Sequence, residues 1–305
     1  MQLPDFVQIK EVGPRDGLQN EKKNVPTEQK IEWIDLLSET GLSYIEITSF
    51  VQPKWIPQLA DALEVSRKIN RNKSITYAAL VPNRKGLENA LLANVDEVSI
   101  FMSASESHNQ KNINKSISET YPVLREVAED ASKEGKSTRA YVSTVFGCPY
   151  EGEVRVEDVL HICDRLFAMG IDEISLGDTI GIAHPRQVEA MLVEVSKRFN
   201  QDRIALHFHD TRGMALANIV VALEKGFTIF DSSLGGLGGC PYAPGASGNV
   251  ATDDLVYMLE RMGIRTGIEE GMLGKAADYI QKQMGISLAS KQSSIQKNKE
   301  GRKVN

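Results

Sequence analysis

Short β-type runs alternate with longer helix-type runs along most of the chain, and this alternation constrains the fold most. The predicted strands are Val7–Val12, Tyr44–Thr48, Ile75–Leu80, Glu97–Met102, Arg139–Val145, Glu173–Leu176, Ile204–His209 and Thr228–Asp231. The predicted helices are Thr27–Glu39, Ile56–Ile69, Arg84–Leu92, Glu119–Glu134, Val156–Ala168, Pro185–Phe199, Gly213–Glu224 and Thr252–Met262. Strict alternation of this kind predicts a parallel sheet with helices packed on it.

The number of strand–helix units favours an α/β fold of the (β/α)8 or TIM-barrel class, since eight parallel strands close into a barrel. An open doubly wound sheet is the alternative, but Glu11–Gly17 lacks the glycine spacing of a nucleotide-binding turn. A further predicted helix, Glu269–Met284, extends the barrel at its C-terminus. We therefore predict a catalytic barrel with this extension at residues 1–286. Residues 287–305 form a polar, basic tail that we expect to be disordered.

Composition narrows the class of protein without indicating an activity. Hydrophobic residues make up 41% of the chain and charged residues 25%, which is the balance of a soluble globular protein. No apolar run approaches the ~20 residues that a membrane-spanning helix needs, so we expect no membrane partner. The net charge of −6 argues against a general electrostatic attraction to nucleic acid. The N-terminus shows no secretory signal, and we predict a cytoplasmic protein.

Polar side chains share one face of two predicted strands. Glu46 alternates with isoleucines in Tyr44–Thr48, and His207 and His209 alternate with apolar residues in the seventh strand. A parallel strand covered on both faces normally reads as a continuous apolar run. The alternation therefore predicts a polar barrel mouth, which is where barrel enzymes hold their chemistry.

His207 and His209 lie two residues apart at the carboxyl end of the seventh predicted strand. Side chains at this spacing point the same way, so both imidazoles can meet one metal ion. Two histidines near a strand end are also commonly structural, and the residues alone leave both interpretations open.

Charged residues occupy the carboxyl ends of other predicted strands. Arg15 and Asp16 follow the first strand, where they form either a local ion pair or a combination of anion-facing cation and metal ligand. Glu46 faces inward, where a carboxylate is costly unless it is paired, and Arg15 is the predicted partner. Asp178 follows the sixth strand at the same end of the barrel.

A glycine-rich loop, Ser232–Asn249, follows the eighth predicted strand and carries a cysteine beside a proline. A long loop in a compact domain is usually functional, and glycines let it fold tightly over a ligand. Cys148 begins a second Cys-Pro-Tyr triplet and competes with Cys240 as the functional thiol, although the glycine setting favours Cys240. Cys163, within a predicted helix, is assigned to the core. Three cysteines provide neither a disulfide framework nor a zinc ribbon.

Several long motifs, in the right order between about Phe6 and Gly285, resemble the hydroxymethylglutaryl-CoA lyase family. They are Glu-Val-Gly-Pro-Arg-Asp-Gly-Leu-Gln-Asn-Glu at 11–21, the stretch 103–114, His-Phe-His-Asp-Thr-Arg-Gly at 207–213, and Gly-Leu-Gly-Gly-Cys-Pro-Tyr-Ala-Pro-Gly-Ala-Ser-Gly-Asn at 236–249. Isopropylmalate and homocitrate synthases share the Arg-Asp and His-x-His elements. The Cys-Pro-Tyr loop is the element that separates the lyases from these synthases.

The resemblance implies an enzyme that cleaves 3-hydroxy-3-methylglutaryl-CoA into acetyl-CoA and acetoacetate by a retro-Claisen reaction, as in leucine breakdown and ketone-body metabolism. It also implies a homodimer that acts on a small acyl-CoA and needs a divalent cation, Mg²⁺ or Mn²⁺. The implied metal ligands are Asp16, His207, His209 and Asn249. Asp16 and His207 are both candidates for the base that accepts the hydroxyl proton.

Further roles follow from the resemblance. Arg15 would stabilise the thioester enolate, and Cys240 would donate a proton to the enolate carbon. Glu46 would orient Arg15, Asp178 would help hold the substrate, and Asn112 would contact the coenzyme arm. Two other functions stay open, namely a condensing synthase that joins an acyl-CoA to a 2-oxo acid and a non-catalytic binding barrel.

A local positive charge is needed if an acidic chain is to bind an anionic coenzyme. Lys22, Lys23 and Lys111 are the lysines that we predict to supply this positive rim.

Overall fold

The structure is a computed structural model that describes residues 3–21, 23–239 and 247–296. Within these ranges eight parallel strands close into a barrel in sequence order, and the last strand pairs with the first. The strands are β1 (Gln8–Glu11), β2 (Tyr44–Ser49), β3 (Thr76–Leu80), β4 (Glu97–Ser103), β5 (Ser137–Ser143), β6 (Glu173–Asp178), β7 (Ile204–Phe208) and β8 (Ile229–Ser232). The predicted TIM barrel is confirmed, and closure of the sheet excludes the open doubly wound alternative.

Ten α-helices surround this barrel in the described part of the chain, and a further helical segment occupies 291–296 at its C-terminal limit. They are α1 (Thr27–Ser38), α2 (Ala62–Lys68), α3 (Arg84–Leu92), α4 (Glu106–Ile113), α5 (Ile117–Lys133), α6 (Val156–Phe167), α7 (Pro185–Arg198), α8 (Ala215–Glu224), α9 (Thr252–Arg261) and α10 (Glu270–Met284). The predicted C-terminal helical extension is α10, which packs against α1 and α9. None of these helices is long and apolar enough to span a bilayer.

Two helices differ from the predicted pattern. Helix α4 is an addition whose sequence has little apolar periodicity, and Ser105 caps it by accepting a hydrogen bond from the His108 amide at 3.2 Å. Helix α2 begins at Ala62 rather than Ile56, because Pro57–Leu59 forms a separate short turn. Both differences arise from local hydrogen bonding that a hydrophobic pattern does not report.

The two faces of each strand have opposite character. On the outer face Ile45, Ile47 and Leu206 are at most 2% exposed and belong to one continuous apolar core between strands and helices. On the inner face Glu46 and Arg139 are completely buried, although both are charged. The predicted polar inner face is therefore present, and it is organised by ion pairs rather than by apolar contacts.

The segment after α10 packs back onto the barrel. Leu288 is buried against Gly235, and the amides of Ala289 and Ser290 donate to the Gly235 carbonyl at 3.0 and 3.2 Å. The hydroxyl of Ser290 also donates to the Asp253 carboxylate. The first part of the region predicted as a disordered tail is therefore held by a buried leucine and by hydrogen bonds. Residues 297–305 lie outside the described residues.

Candidate active site

A single wide turn, Gly13–Gly17, carries Arg15 and Asp16 from the end of β1 over the barrel mouth. The carbonyl of Val12 accepts hydrogen bonds from three successive amides, those of Arg15, Asp16 and Gly17, at 3.1, 2.7 and 3.3 Å. Widened turns of this kind are rare in proteins and are frequent at functional sites. The turn fixes both charged side chains at the carboxyl end of the strands.

Asp16, His207 and His209 bring ligand atoms to within 4.8 Å of one another. The two imidazole rings lie on the inner face of β7 and just beyond it, with ring centres 5.3 Å apart. An antiparallel bridge places Asn249 opposite His209, and the Asn249 amide nitrogen donates to Oδ2 of Asp16 at 2.8 Å. The structure thus gathers all four predicted metal ligands in one cluster.

The donor set of this cluster fits a divalent cation. Oδ1 of Asn249 and Nδ1 of His209 are buried and have no hydrogen-bond partner among the described residues, which is costly unless another group satisfies them. Burial and the neighbouring His207 lower the pKa of His209 to about 4, so the imidazole stays neutral, as a metal ligand must be. Burial opposes ionisation of Asp16, but the adjacent Arg15 guanidinium favours it, and the pKa of that carboxyl is lowered.

Arg15 is held by two carboxylates. Its Nε donates to Oε2 of Glu46 at 2.6 Å, and its Nη1 donates to Oδ1 of Asp16 at 2.6 Å. Gln19 donates to the same oxygen of Asp16 at 2.9 Å. The pairing of Arg15 with the inward Glu46 is therefore present, and the ion pair of Arg15 with Asp16 coexists with the metal-type cluster. The local ion pair of the sequence analysis is therefore present, and it does not exclude the metal-ligand interpretation of Asp16.

A cavity of about 520 Å³ opens beside the cluster. Arg15 and His207 line its inner end, and Asn112, Lys115 and Trp55 line other parts of its wall. A volume of this size is typical of a small-molecule site. The predicted contact residue for the coenzyme arm, Asn112, thus lies in the cavity wall.

The lysines that were predicted to form a positive rim have different surroundings. Lys111 lies over the ring of Tyr150, with Nζ 4.0 Å from the ring centre. Lys23 donates to the Gln283 carbonyl at the end of α10 instead of facing the cavity, while Lys22 lies outside the described residues. Lys115, which the sequence argument did not single out, lines the cavity.

Asp178 supports the loop that follows β6. Its two carboxylate oxygens accept hydrogen bonds from the amides of Ile182 and Ala183 at 3.0 and 3.1 Å. Burial raises the pKa of Asp178 to about 6. Among the described residues around it, Gly177 and Thr179 line the cavity and Asp178 does not. Asp178 therefore supports the loop beside the cavity, and its carboxylate also interacts electrostatically with His207.

The structure describes two of the three cysteines. Cys240 lies outside the described residues. The Cys148 sulfur is buried, contacts the Ser105 hydroxyl at 2.9 Å and accepts from the amide of Tyr150 at 3.3 Å, so this thiol stabilises its own turn. Cys163 is completely buried in α6, and burial raises the pKa of its thiol to about 12. Neither of the two described cysteines has the setting of a reactive thiol.

Three inner-face residues that the sequence argument did not select join the two halves of the site. Arg139 donates from Nη1 to the hydroxyl of Tyr141 at 2.8 Å and from Nη2 to Asp231 at 2.6 Å. Tyr141 in turn donates to Glu46 at 3.0 Å, and Asp231 pairs with Nδ1 of His207 at 3.1 Å. The available signal was the spacing of Arg139 and Tyr141, which places two polar side chains on one face of a buried strand.

Comparison with known proteins identifies the family of this chain. The sequence model of the HMGL-like family matches residues 6–280, and the chain therefore belongs to this family of barrel enzymes. The hydroxymethylglutaryl-CoA lyase YngG of Bacillus subtilis is 60% identical over 291 residues, which cover 95% of this chain and 97% of that protein. The human cytoplasmic 3-hydroxy-3-methylglutaryl-CoA lyase is 50% identical over 289 residues, or 95% of this chain and 78% of that protein.

A solved structure extends the comparison to three dimensions. The HMG-CoA lyase of Acinetobacter baumannii, in complex with coenzyme A and 3-methylmalate, superposes with a TM-score of 0.92 at 40% identity over 96% of each chain. These identities extend over nearly the whole chain and place this protein with the hydroxymethylglutaryl-CoA lyases of the family. The resemblance seen in the sequence motifs is confirmed.

Proposed function

We propose that this chain cleaves 3-hydroxy-3-methylglutaryl-CoA into acetyl-CoA and acetoacetate. Its lyase relatives support the reaction, and the A. baumannii complex supports an acyl-CoA substrate. The observation that carries the proposal is the convergence of Asp16, His207 and His209 within 4.8 Å, beside Arg15 at the inner end of a cavity.

We propose that Asp16, His207, His209 and Asn249 hold Mg²⁺ or Mn²⁺. Two imidazoles also suit zinc, but a carboxylate and an amide oxygen favour the harder cations. A bound cation of this kind lowers the pKa of the substrate hydroxyl, which is otherwise a very weak acid. The candidate acceptors of the hydroxyl proton are the Asp16 carboxylate and His207, and both line the cavity. A ring nitrogen that holds the cation has no lone pair left for this proton, which favours Asp16.

Arg15 faces the negative charge that develops on the thioester oxygen when the carbon–carbon bond breaks. Arg15 is 5% exposed, and its guanidinium is fixed by Glu46 and Asp16, so it needs little rearrangement during the reaction. Burial disfavours its charge, but Glu46 and Asp16 more than compensate and raise its pKa. Placed charge of this kind is worth ~3 kcal/mol in the transition state.

Cys240 is proposed to donate a proton to the enolate carbon of acetyl-CoA. The neck of its loop lies at the site, because Gly238 lines the cavity and a Cβ on Gly248 would lie 2.0 Å from the Gly238 carbonyl. The Asp210 amide also donates to the Gly248 carbonyl at 2.7 Å. Both ends of the loop are thus fixed beside Asn249 at the cation cluster.

Asp178 and Asn112 are proposed to act on substrate binding. Asp178 acts through the loop that it holds beside the cavity, and Asn112 acts from the cavity wall on the coenzyme arm. We further propose a cytoplasmic homodimer; the name of the human relative supports the compartment, and the family resemblance supports the dimer. Light scattering that gave the mass of a single chain would contradict the dimer.

The proposed reaction is tested by incubating the purified protein with 3-hydroxy-3-methylglutaryl-CoA and Mg²⁺ or Mn²⁺. Acetoacetate should form, should stop after chelation with EDTA and should return when the cation is restored. Cys240→Ser should lose turnover while Mn²⁺ binding is kept, and Cys148→Ser is the matched control. No acetoacetate from a protein that binds the cation would reject the proposal. Release of free thiol from acetyl-CoA and a 2-oxo acid would favour the condensing synthase.

A further inference from the structure

One ring nitrogen of His207 contacts a carboxylate that lies outside the cluster of predicted metal ligands. Its Nδ1 lies 3.1 Å from Oδ2 of Asp231, on the neighbouring strand β8, and the strand register sets these two residues opposite each other. Both side chains are largely or completely buried. The contact therefore joins two adjacent strands of the barrel and does not involve a loop.

Asp231 is surrounded by hydrogen-bond donors. Arg139 donates from Nη2 to Oδ1 at 2.6 Å, and the Ser175 hydroxyl donates to Oδ2 at 2.7 Å. Asp231 thus forms a completely buried ion pair with Arg139 and faces its donors as a carboxylate. An ionised carboxylate can only accept hydrogen bonds, so the nitrogen of His207 that meets it carries the proton.

The other nitrogen of His207 faces the cluster. Nε2 lies 3.8 Å from Oδ2 of Asp16, which is beyond hydrogen-bond distance. Two atoms that each lie about 2.1 Å from one Mg²⁺ ion are at most about 4.2 Å apart, so this separation suits two ligands of one ion. A proton on Nδ1 leaves the lone pair on Nε2, directed to the cation side.

We propose that Asp231, held by Arg139, is a positioning residue that fixes His207 in the Nδ1–H tautomer and thereby presents Nε2 to the cation. The proposal rests on the metal site of the proposed function and goes beyond it, because it assigns the role to a residue that does not itself meet the ion. Partners of this kind typically change metal affinity 10- to 100-fold when they are replaced.

Asp231→Asn is the informative substitution. Arg139 requires an oxygen at the Oδ1 position, so the new amide nitrogen takes the Oδ2 position and donates to Nδ1 of His207. This arrangement drives the proton to Nε2 and removes the lone pair that would bind the cation. Ser175→Ala is the matched control, because it removes the other donor to Oδ2 and leaves the pair with His207 intact.

The experiment combines two measurements on the full-length protein. Mn²⁺ binding to the metal-free protein, followed by the EPR signal of free Mn²⁺, should weaken at least about 10-fold in Asp231→Asn and less than about threefold in Ser175→Ala. Nitrogen-15 NMR of labelled histidine, assigned with His207→Gln, should show the Nδ1–H tautomer in the metal-free wild type. Asp231→Asn should show the Nε2–H tautomer.

An Nε2–H tautomer in the metal-free wild type would overturn the proposal, even if the Asn variant failed to fold. A folded Asp231→Asn that bound Mn²⁺ as tightly as the wild type would overturn it as well. Neither measurement uses the acyl-CoA substrate. A failure of the proposed lyase reaction would therefore leave these results unchanged, and the two failures can be told apart.

Discussion

The inner and outer faces of the barrel strands are buried alike and stabilised differently. On the outer face Ile174 and Leu206 are completely buried in the apolar core. On the inner face Arg139 is also completely buried, but it pairs with Glu173 and Asp231 at 2.6 Å each. Side chains of equal burial are therefore held by two kinds of interaction, which are apolar packing on the outer face and ion pairs on the inner face.

The two kinds of packing respond differently to substitution. Apolar burial contributes roughly 25 cal/mol per Å², so losing a methyl group costs a graded amount. Removing one partner of a buried ion pair leaves the other charge uncompensated, which costs ~3–5 kcal/mol. The inner face therefore supports the site with groups that tolerate single changes poorly.

The largest expected effect on folding is that of Arg139→Ala. The substitution leaves the completely buried carboxylate of Asp231 without its ion-pair partner, while Glu173 keeps its pair with Lys10 at 2.8 Å, so the free energy of unfolding should fall by about 4 kcal/mol. Urea unfolding followed by circular dichroism measures the loss. A loss below about 1 kcal/mol would show that the inner face does not depend on this ion pair.

Glu11 is an exception to the difference between the two faces. It is a completely buried carboxyl, yet it contacts the outer layer by accepting a hydrogen bond from Thr252. Burial, with a contribution from Asp253, raises the pKa of Glu11 from 4.5 to about 7 despite three hydrogen bonds. Since the folded pKa is the higher one, its stabilising contribution is complete below pH 4.5 and is lost as pH rises through 7.

Glu11→Gln should remove this pH dependence. The free energy of unfolding of the variant, relative to wild type, should rise by about 3 kcal/mol between pH 4.5 and pH 8. Urea titrations of both proteins across that range provide the comparison. Parallel pH profiles for wild type and variant would mean that the Glu11 carboxyl is not perturbed in the folded protein.

Arg15→Lys tests whether inner-face charge also serves the reaction. Lysine keeps the charge but loses the planar fork that joins Glu46 and Asp16, so turnover should fall about 100-fold while stability changes less. Steady-state acetoacetate formation at saturating cation measures the change. Near-normal turnover would show that Arg15 does not meet the developing enolate.

The smallest expected effect is on the outer face. Ile174→Val removes one methylene group from the apolar core and should cost about 1 kcal/mol of stability with unchanged turnover. Urea unfolding and the acetoacetate assay on the same preparation give both numbers. A change in turnover would show that the two faces are coupled more tightly than their packing indicates.

The fold was largely predictable because strand–helix alternation determines it locally. The cluster of Asp16, His207 and His209 was also predictable in part, since the two histidines share a strand face and Asp16 follows β1 at the same end of the barrel. Its partner Asp231 was not, because the contact depends on the register between β7 and β8, which no local pattern specifies. The wide turn after β1 escaped prediction for the same reason as α4, since backbone hydrogen bonds define both.

The neck where Gly238 and Gly248 meet separates the sequence between these glycines from the barrel side of the site. Asn249 is anchored through its bridge to His209, on the barrel side of that neck. Mutations between the two glycines that keep Cys240 can therefore accumulate without displacing Asn249 from its contacts with His209 and Asp16. Variation in this loop can thus arise in evolution while the barrel side of the site keeps its geometry.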